Sequence, residues 1–421
     1  MDLTPARGTR DLLPATVAVR DHVLATITEV YRRYGYQRIE TPALENIERL
    51  QGGQGGENEK LIFRVLRRGL DERLAAGTEL SGLVDLGLRY DLTVPLSRFY
   101  GNNRASLADP FRSFQVGPVW RAERPQKGRY RQFYQCDIDM LGEPSVLAEA
   151  ELIEATTEAL AAAGLSGGTV RLSDRRFLSA LAARVELPPS SWDGLFITLD
   201  KLDKIGWDGV RAELAGRGFE AERIGRLADT IAELQGVEEG KLVDRLGSAL
   251  PNLGDDVLAD LEATVAALRD LAAQRDLSWA FDPTLVRGMG YYTGQIFEIT
   301  HPAAAGSVAG GGRYDKLIGR FLGTDVPACG FSIGFERIVD LLGGPAAREA
   351  VAVLYEPEVP PAAVLAAARR LRAGGRTVSP IRRRGKFGAQ LGRLEEWGFG
   401  SFVYLRDESA DALEERRLGG R

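Results

Sequence analysis

Between Trp120 and Gln132 the chain carries five cations and one carboxylate in eleven residues, Arg121-Ala-Glu-Arg-Pro-Gln-Lys-Gly-Arg-Tyr-Arg131. An apolar, strand-like run (Phe114 to Trp120) precedes them, and a mixed aromatic and acidic run (Phe133 to Leu141) follows. Guanidinium groups cannot enter a core without anions to pair with, so the basic segment must stay outside one. The pattern therefore predicts two strands joined by an open loop at the Pro-Gln-Lys-Gly turn. Two readings fit such a loop. It receives phosphates, from a nucleotide or a nucleic acid end, or it is a solvated hairpin tip.

Composition narrows the choice. At 421 residues the chain exceeds one ordinary core, and two to four domains are expected. Hydrophobic content of 44% with 27% charged residues fits a soluble globular protein, and the sparse cysteines, read as reduced thiols, lead us to expect a cytoplasmic one. The net charge of −5 gives no general attraction for nucleic acid, so any such contact needs local basic patches. The Met1-Asp-Leu-Thr-Pro start lacks a signal-peptide pattern, and no apolar stretch approaches membrane-spanning length, so no membrane partner is expected. Cys136 and Cys329 stand far apart in apolar settings and read as buried, reduced thiols. With His22 and His301 the only histidines, a structural zinc site or a histidine-based triad is nearly excluded. The chemistry must then run on arginines, carboxylates, tyrosines and backbone groups.

Apolar spacing predicts a helix over 16–35 that stops at Gly35, then a short strand from Tyr36 to Ile39. The glycine-rich Gln51 to Glu57 reads as a loop, without the Gly-Lys-Ser/Thr ending of a Walker phosphate cradle. Strands are expected at Leu61 to Val65 and Leu86 to Tyr90, and helices from Thr93 and over 145–164. From about 180 to 277 the chain turns alanine- and leucine-rich with helical periodicity, which reads as a mostly helical insertion. Strand character returns at Thr284 to Ile299, Val308 to Asp315 and Ala328 to Ile333, with a helix opening near Gly334. Gly343-Gly-Pro345 marks a linker. Beyond it, strand–helix–strand–helix–strand–helix alternation over 349–421 predicts a small α/β domain with a mainly parallel sheet.

Four distant segments place functional side chains beside strands: Arg89-Tyr-Asp-Leu-Thr93, the basic loop with its following strand, Leu285-Val-Arg-Gly-Met-Gly-Tyr-Tyr-Thr293, and Gly310 to Asp315 with Gly334 to Arg337. Strand alternation sets Gln135, Asp137 and Asp139 on one face, and three polar groups there need solvent or a polar ligand.

These segments carry a resemblance. Trp120 to Gln135 looks like motif 2 of the class II aminoacyl-tRNA synthetases, and specifically of the histidyl-tRNA synthetase family. Leu285 to Tyr292 and Ala309-Gly-Gly-Gly-Arg-Tyr-Asp315 are similar to that family's two histidine-specific signatures. Gly330 to Arg337 resembles motif 3, Tyr36 to Pro42 resembles motif 1, and Arg7-Gly-Thr-Arg-Asp-Leu-Leu-Pro14 also fits. The resemblance implies an α+β fold: a class II catalytic domain over 1–345, with an antiparallel sheet and flanking helices, and a C-terminal anticodon-binding-like domain over 349–421. It implies that histidine, ATP with Mg²⁺ and the cognate histidine tRNA are the substrates, and that the chain is a homodimer.

By similarity, Arg121 grips the α-phosphate, Arg337 the γ-phosphate, and Arg287 stands where other class II enzymes place a metal ion. Glu123 lies near the adenine or the ATP-borne metal. No protein metal site is implied. Asp91, Thr93 and Gln135 receive the substrate amino group, Asp139 and Tyr292 address the imidazole nitrogens, and Tyr314 closes the pocket. Arg124 and Gln126 meet the tRNA acceptor end. Two features depart from the family pattern: Gly290 replaces an aspartate common there, and the C-terminal domain is short. Its cluster Arg382-Arg-Arg-Gly-Lys386, with Arg393, reads as a phosphate contact or a solvated helix start. Two other activities are compatible with a synthetase-like chain: a regulatory subunit of ATP phosphoribosyltransferase, and a histidine-activating enzyme with a non-tRNA acceptor.

Overall fold

The computed structural model describes residues 2–51, 61–69, 80–124, 130–287, 290–342, 350–407 and 413–419. The chain divides into two compact units: Met1–Asp11 with His22–Leu342, and Leu12–Asp21 with Gly343–Arg421.

The first unit is built on an eight-stranded sheet. Its strands are β1 (Gln37–Arg38), β5 (Phe111–Trp120), β6 (Gln132–Leu141), β7 (Gly168–Asp174), β8 (Leu277–Phe281), β9 (Gln295–Thr300), β10 (Ala309–Arg313) and β11 (Ala328–Ile333). The spatial order is β1-β5-β6-β11-β10-β9-β7-β8. Only the end pairs β1/β5 and β7/β8 are parallel, and the interior is antiparallel. A separate three-stranded sheet has β4 (Val84–Leu88) between β2 (Leu44–Asn46) and β3 (Arg64–Leu66).

The long β5–β6 hairpin follows from its sequence, since ten-residue strands pair in register from Phe111↔Leu141 to Trp120↔Gln132. Both are interior strands, hydrogen-bonded to a neighbour on each side. On one face Cys136, Ile138 and Met140 are fully buried, and the alanine-rich helix Leu147–Ala162 packs on that side of the sheet. The other face carries Gln135, Asp137 and Asp139 and opens to a hollow. Both cysteines are free and buried.

Helix Pro14–Arg33 ends where Gly35 takes a left-handed φ of 81°, accessible to glycine without a Cβ clash. Between β7 and β8 the chain is helical, from Arg175–Arg184 to Asp255–Gln274. Four expectations need correction. Residues 284–287 and 290–294 are not strand, and ladder pairing begins at Gln295. The strand expected at Leu61 to Val65 forms at Arg64–Leu66. β7 and β8 were not anticipated, because short runs beside long helices give little alternation. In the second unit the terminal helix is not found over 415–417, where β15 (Glu415–Arg417) pairs antiparallel to β14 (Phe399–Leu405).

The remainder of that unit is β12 (Ala350–Tyr355) and β13 (Thr377–Arg382), parallel to each other, with β14 parallel to β12. Helices Pro361–Ala373 and Phe387–Glu396 alternate with the strands. Gln390, buried in the second helix, donates to the Arg382 carbonyl (2.8 Å) and accepts from the Arg384 N–H (2.8 Å). That side chain shapes the basic turn 382–386.

Candidate active site

The three arginines from distant segments line one cavity of about 810 Å³ in the first unit, with Asp91, Thr93, Glu123, Gln135, Asp139, Tyr292 and Tyr314. Each enters on a different element. Arg121 follows the end of β5; its Nε donates to the Tyr90 carbonyl (3.0 Å), and its guanidinium lies 5.0 Å from the Phe133 ring centroid. Arg337 sits in the first turn of helix Phe335–Leu342, is exposed, and donates to the Ser307 carbonyl. Arg287 ends the described stretch before Gly290. Its Nη1 pairs with Glu298 of β9 at 3.4 Å, and its Nε has no hydrogen-bond partner among the described residues.

Gly310 explains how Arg287 fits: a Cβ there would lie 2.4 Å from the guanidinium carbon. The bare backbone of β10 lets the cation lie against the sheet. Glu298 is shared, since Arg171 on β7 also donates to it (2.9 Å) while pairing with Asp282 and, at 3.3 Å, with Asp203 of the helical segment.

Deeper in the hollow the charge reverses. Asp91 precedes helix Thr93–Asn103, and its Oδ1 accepts from the Val94 N–H (3.1 Å). Gln135 donates to Asp137 Oδ2 (3.2 Å) and Ser332 Oγ (3.3 Å). Asp139 Oδ1 accepts from the Tyr314 hydroxyl at 2.6 Å, and the space for that carboxylate exists because Gly330 opposes it on β11, where a Cβ would come within 2.1 Å. Of the residues lining this cavity, four buried oxygens have no hydrogen-bond partner among the described residues: Asp91 Oδ2, Gln135 Oε1, Asp137 Oδ1 and Asp139 Oδ2. Such atoms are costly to bury unless a donor arrives.

Their protonation reflects that cost. Burial pushes Asp91 up to about 6, against the lowering influence of the Val94 N–H and the Arg121 charge. Burial also raises Asp139 to about 7, opposed by the Tyr314 hydrogen bond. Asp137 is raised well above the carboxylate range by burial, with Asp139 adding to it. Tyr291 stacks edge-on between Tyr292 (4.9 Å) and Tyr314 (5.7 Å), so an aromatic wall closes the acidic end.

Other predicted residues fall elsewhere. Arg124 is exposed and not among the cavity-lining residues, and Gln126 lies outside the described residues, as do 125–129, 288–289 and most of the Gln51 to Glu57 loop. Arg89 is buried and bonds the carbonyls of Thr41 (2.6 Å) and Pro118 (3.0 Å), so it serves the fold. Sequence reasoning did not find Glu298, Arg171 or Ser332, or the Asp200, Asp203 and Lys204 group that the helical segment brings to the rim. Alternation could have pointed to Ser332 as the polar partner of Asp137 across β11; the others depend on tertiary placement. Among the described residues no group of three or more histidine, cysteine or acidic side chains could hold a metal ion.

A sequence-family description of histidyl-tRNA synthetase matches residues 8–338. The chain belongs to the histidyl-tRNA synthetase family. It is 49% identical to a histidine--tRNA ligase of Leifsonia xyli subsp. xyli (strain CTCB07), covering 99% of this chain and 98% of that one. It is 42% identical to a probable histidine--tRNA ligase of Tropheryma whipplei (strain Twist), with 96% of both covered. The fold matches the crystal structure of histidyl-tRNA synthetase from Nostoc sp. PCC 7120 with a TM-score of 0.77 at 26% identity, over 99% of this chain and 97% of that one. The α+β architecture is that of this synthetase family, and the chain is an aminoacyl-tRNA synthetase.

Proposed function

We infer that this chain activates histidine with ATP and transfers it to the 3′ end of histidine tRNA. The observation that carries the reading is one cavity lined by three arginines and by four buried acceptors that have no partner among the described residues. A triphosphate suits the first group. An ammonium with two imidazole nitrogens suits the second.

In adenylation an oxygen of the histidine carboxylate forms a bond to the α-phosphorus, and the bond to the bridging oxygen of pyrophosphate breaks. Two anions must approach, so the catalytic demand is charge cancellation and positioning rather than a side-chain nucleophile. Arg121 holds the α-phosphate, Arg337 the γ-phosphate, and Arg287 the charge that grows at the α-phosphorus. ATP would bring magnesium on its phosphates, and Glu123, a carboxylate lining the cavity, is assigned to the adenine or that metal. Asp91, Thr93 and Gln135 take the ammonium group. Asp139, held by Tyr314, and Tyr292 take the two ring nitrogens. A wrong amino acid would leave these buried groups unpaired, a penalty sufficient for roughly 10⁴- to 10⁵-fold discrimination. A ribose hydroxyl of the tRNA 3′ end then attacks the carbonyl carbon, and AMP leaves.

Arg124 and Gln126 are proposed for the acceptor end on the motif resemblance alone, and the basic turn 382–386 for tRNA phosphates. The working form is a cytoplasmic homodimer, with 1–345 as catalytic domain, about 180–277 as a helical insertion and 349–421 as the tRNA-reading domain. Light scattering at micromolar concentration checks the dimer, and a monomer mass would exclude it. Histidine-dependent ATP–pyrophosphate exchange followed by charging of a histidine tRNA transcript tests the activity. A chain without exchange is a regulator. A chain that exchanges but cannot charge tRNA uses another acceptor.

A further inference from the structure

The N-terminal segment Arg7 to Pro14 has no role in the account above, yet Arg10 lies at a junction of the site. Its Nη1 donates to the Tyr130 hydroxyl (2.9 Å), and its Nη2 donates to Glu336 Oε2 (2.7 Å). Its guanidinium also lies 4.1 Å from the Tyr130 ring centroid. Two residues earlier, the Gly8 carbonyl accepts from the Arg131 N–H (2.8 Å), and the absence of a side chain on Gly8 lets Arg131 pass, since a Cβ would come within 2.8 Å of its Cγ.

Each partner adjoins a phosphate-facing arginine. Tyr130 and Arg131 form the returning root of the basic loop, and the Arg131 carbonyl accepts from the Arg121 N–H (2.8 Å), tying both roots together. Glu336 immediately precedes Arg337, and its other oxygen accepts from the Tyr134 N–H of β6 (3.1 Å). One planar fork thus bridges the element that carries Arg121 and the helix that carries Arg337. A guanidinium can do this because separate nitrogens hold its donors in a fixed plane; an ammonium has its three donors on one atom of a flexible stem, which fixes the spacing less well.

We propose that Gly8 and Arg10 form an N-terminal brace, with Arg10 a positioning residue that sets the spacing of Arg121 and Arg337 for a nucleoside triphosphate. This rests on the functional reading only in naming ATP. Arg10 does not line the cavity, so its effect is transmitted through Tyr130 and Glu336. The Arg10 side chain is 29% exposed, and ion pairs so placed support folding weakly. The brace therefore predicts a large effect on triphosphate binding and a small one on stability, which a merely structural role would reverse.

The test is calorimetric titration of Mg-ATP, and separately of histidine, into the full chain and its Arg10→Ala, Arg10→Lys and Arg10→Ala/Glu336→Gln variants, with a thermal melt of each. Arg10→Ala should weaken Mg-ATP about 10- to 100-fold, with Arg10→Lys between it and the parent. Histidine affinity should be unchanged, and the melting temperature should move by no more than about 2–4 °C. The double variant should match Arg10→Ala, because both substitutions break one bridge. Unchanged Mg-ATP affinity overturns the proposal. So does an equal loss for both ligands with a large drop in melting temperature. A parent chain that binds Mg-ATP but exchanges no pyrophosphate would refute the ligase reading and leave the brace decided by the titration. A parent that binds no Mg-ATP would refute both.

Discussion

Two arginines from β10 and its neighbourhood are treated in opposite ways. Arg313, at the end of β10, spends its guanidinium inside the protein: two 2.6 Å bonds to buried Glu149, the carbonyls of Glu143 (3.2 Å) and Ser145 (2.8 Å), and Asp315 at 3.3 Å. Arg287, laid over Gly310 of the same strand, has one 3.4 Å ion pair, a hydrogen bond with Tyr292, and a buried Nε without a partner among the described residues. The first arrangement is complete and therefore structural. The second is incomplete, and its unfilled capacity is what a ligand can use.

Breaking each arginine should show the difference. Arg313→Ala would strand the Glu149 carboxylate in the core and should destabilise the protein by about 3–5 kcal/mol in chemical denaturation, with any activity loss following the loss of fold. Arg287→Ala should leave the denaturation midpoint nearly unchanged while pyrophosphate exchange falls about 100- to 1000-fold, some 3–4 kcal/mol in the barrier. Near-normal exchange in that variant would remove Arg287 from the mechanism.

The acidic end sharpens the contrast. The folded-state values of Asp91 and Asp139 lie above those of an unfolded chain, so their contribution favours folding at low pH and is lost as pH rises through about 6 to 7. Asp139→Asn should accordingly raise the apo-protein's stability at pH 8 by on the order of 2 kcal/mol while abolishing histidine activation, measured by melts across pH and by exchange. A variant no more stable than its parent at pH 8 would show that the ionised carboxylate is not a burden. The smallest effect concerns pH itself. Protonation of Asp91 removes the charge that attracts the ammonium group, so kcat/KM for histidine should fall roughly tenfold from pH 7 to pH 5, with the ATP constant less affected. A flat profile would take Asp91 out of amino-group recognition.

Much of this was legible in the chain before any coordinates. The pairing of β5 with β6 and the polar face of β6 follow from strand alternation. Other parts were not legible because they depend on partners far away in sequence. Arg89 stands in a motif and looks available, yet three-dimensional context uses it up on the carbonyls of Thr41, Pro42 and Pro118 and the Thr41 hydroxyl. Glu298 is an ordinary strand glutamate until β9 places it between Arg171 and Arg287. Residues 284–294 have the apolar and aromatic character of a strand, but the tyrosines stack on one another and on Tyr314 instead of alternating across a sheet. The last short strand was misread because its pairing with β14, rather than any pattern of its own, makes it one.

The bare backbone at Gly310 means that part of the chemistry is written as missing atoms. One methyl group there would displace the guanidinium resting on it, although every charged residue of the site would remain. A descendant could thus retain all three arginines and be inert. Inventories of reactive groups alone would mistake it for a working enzyme.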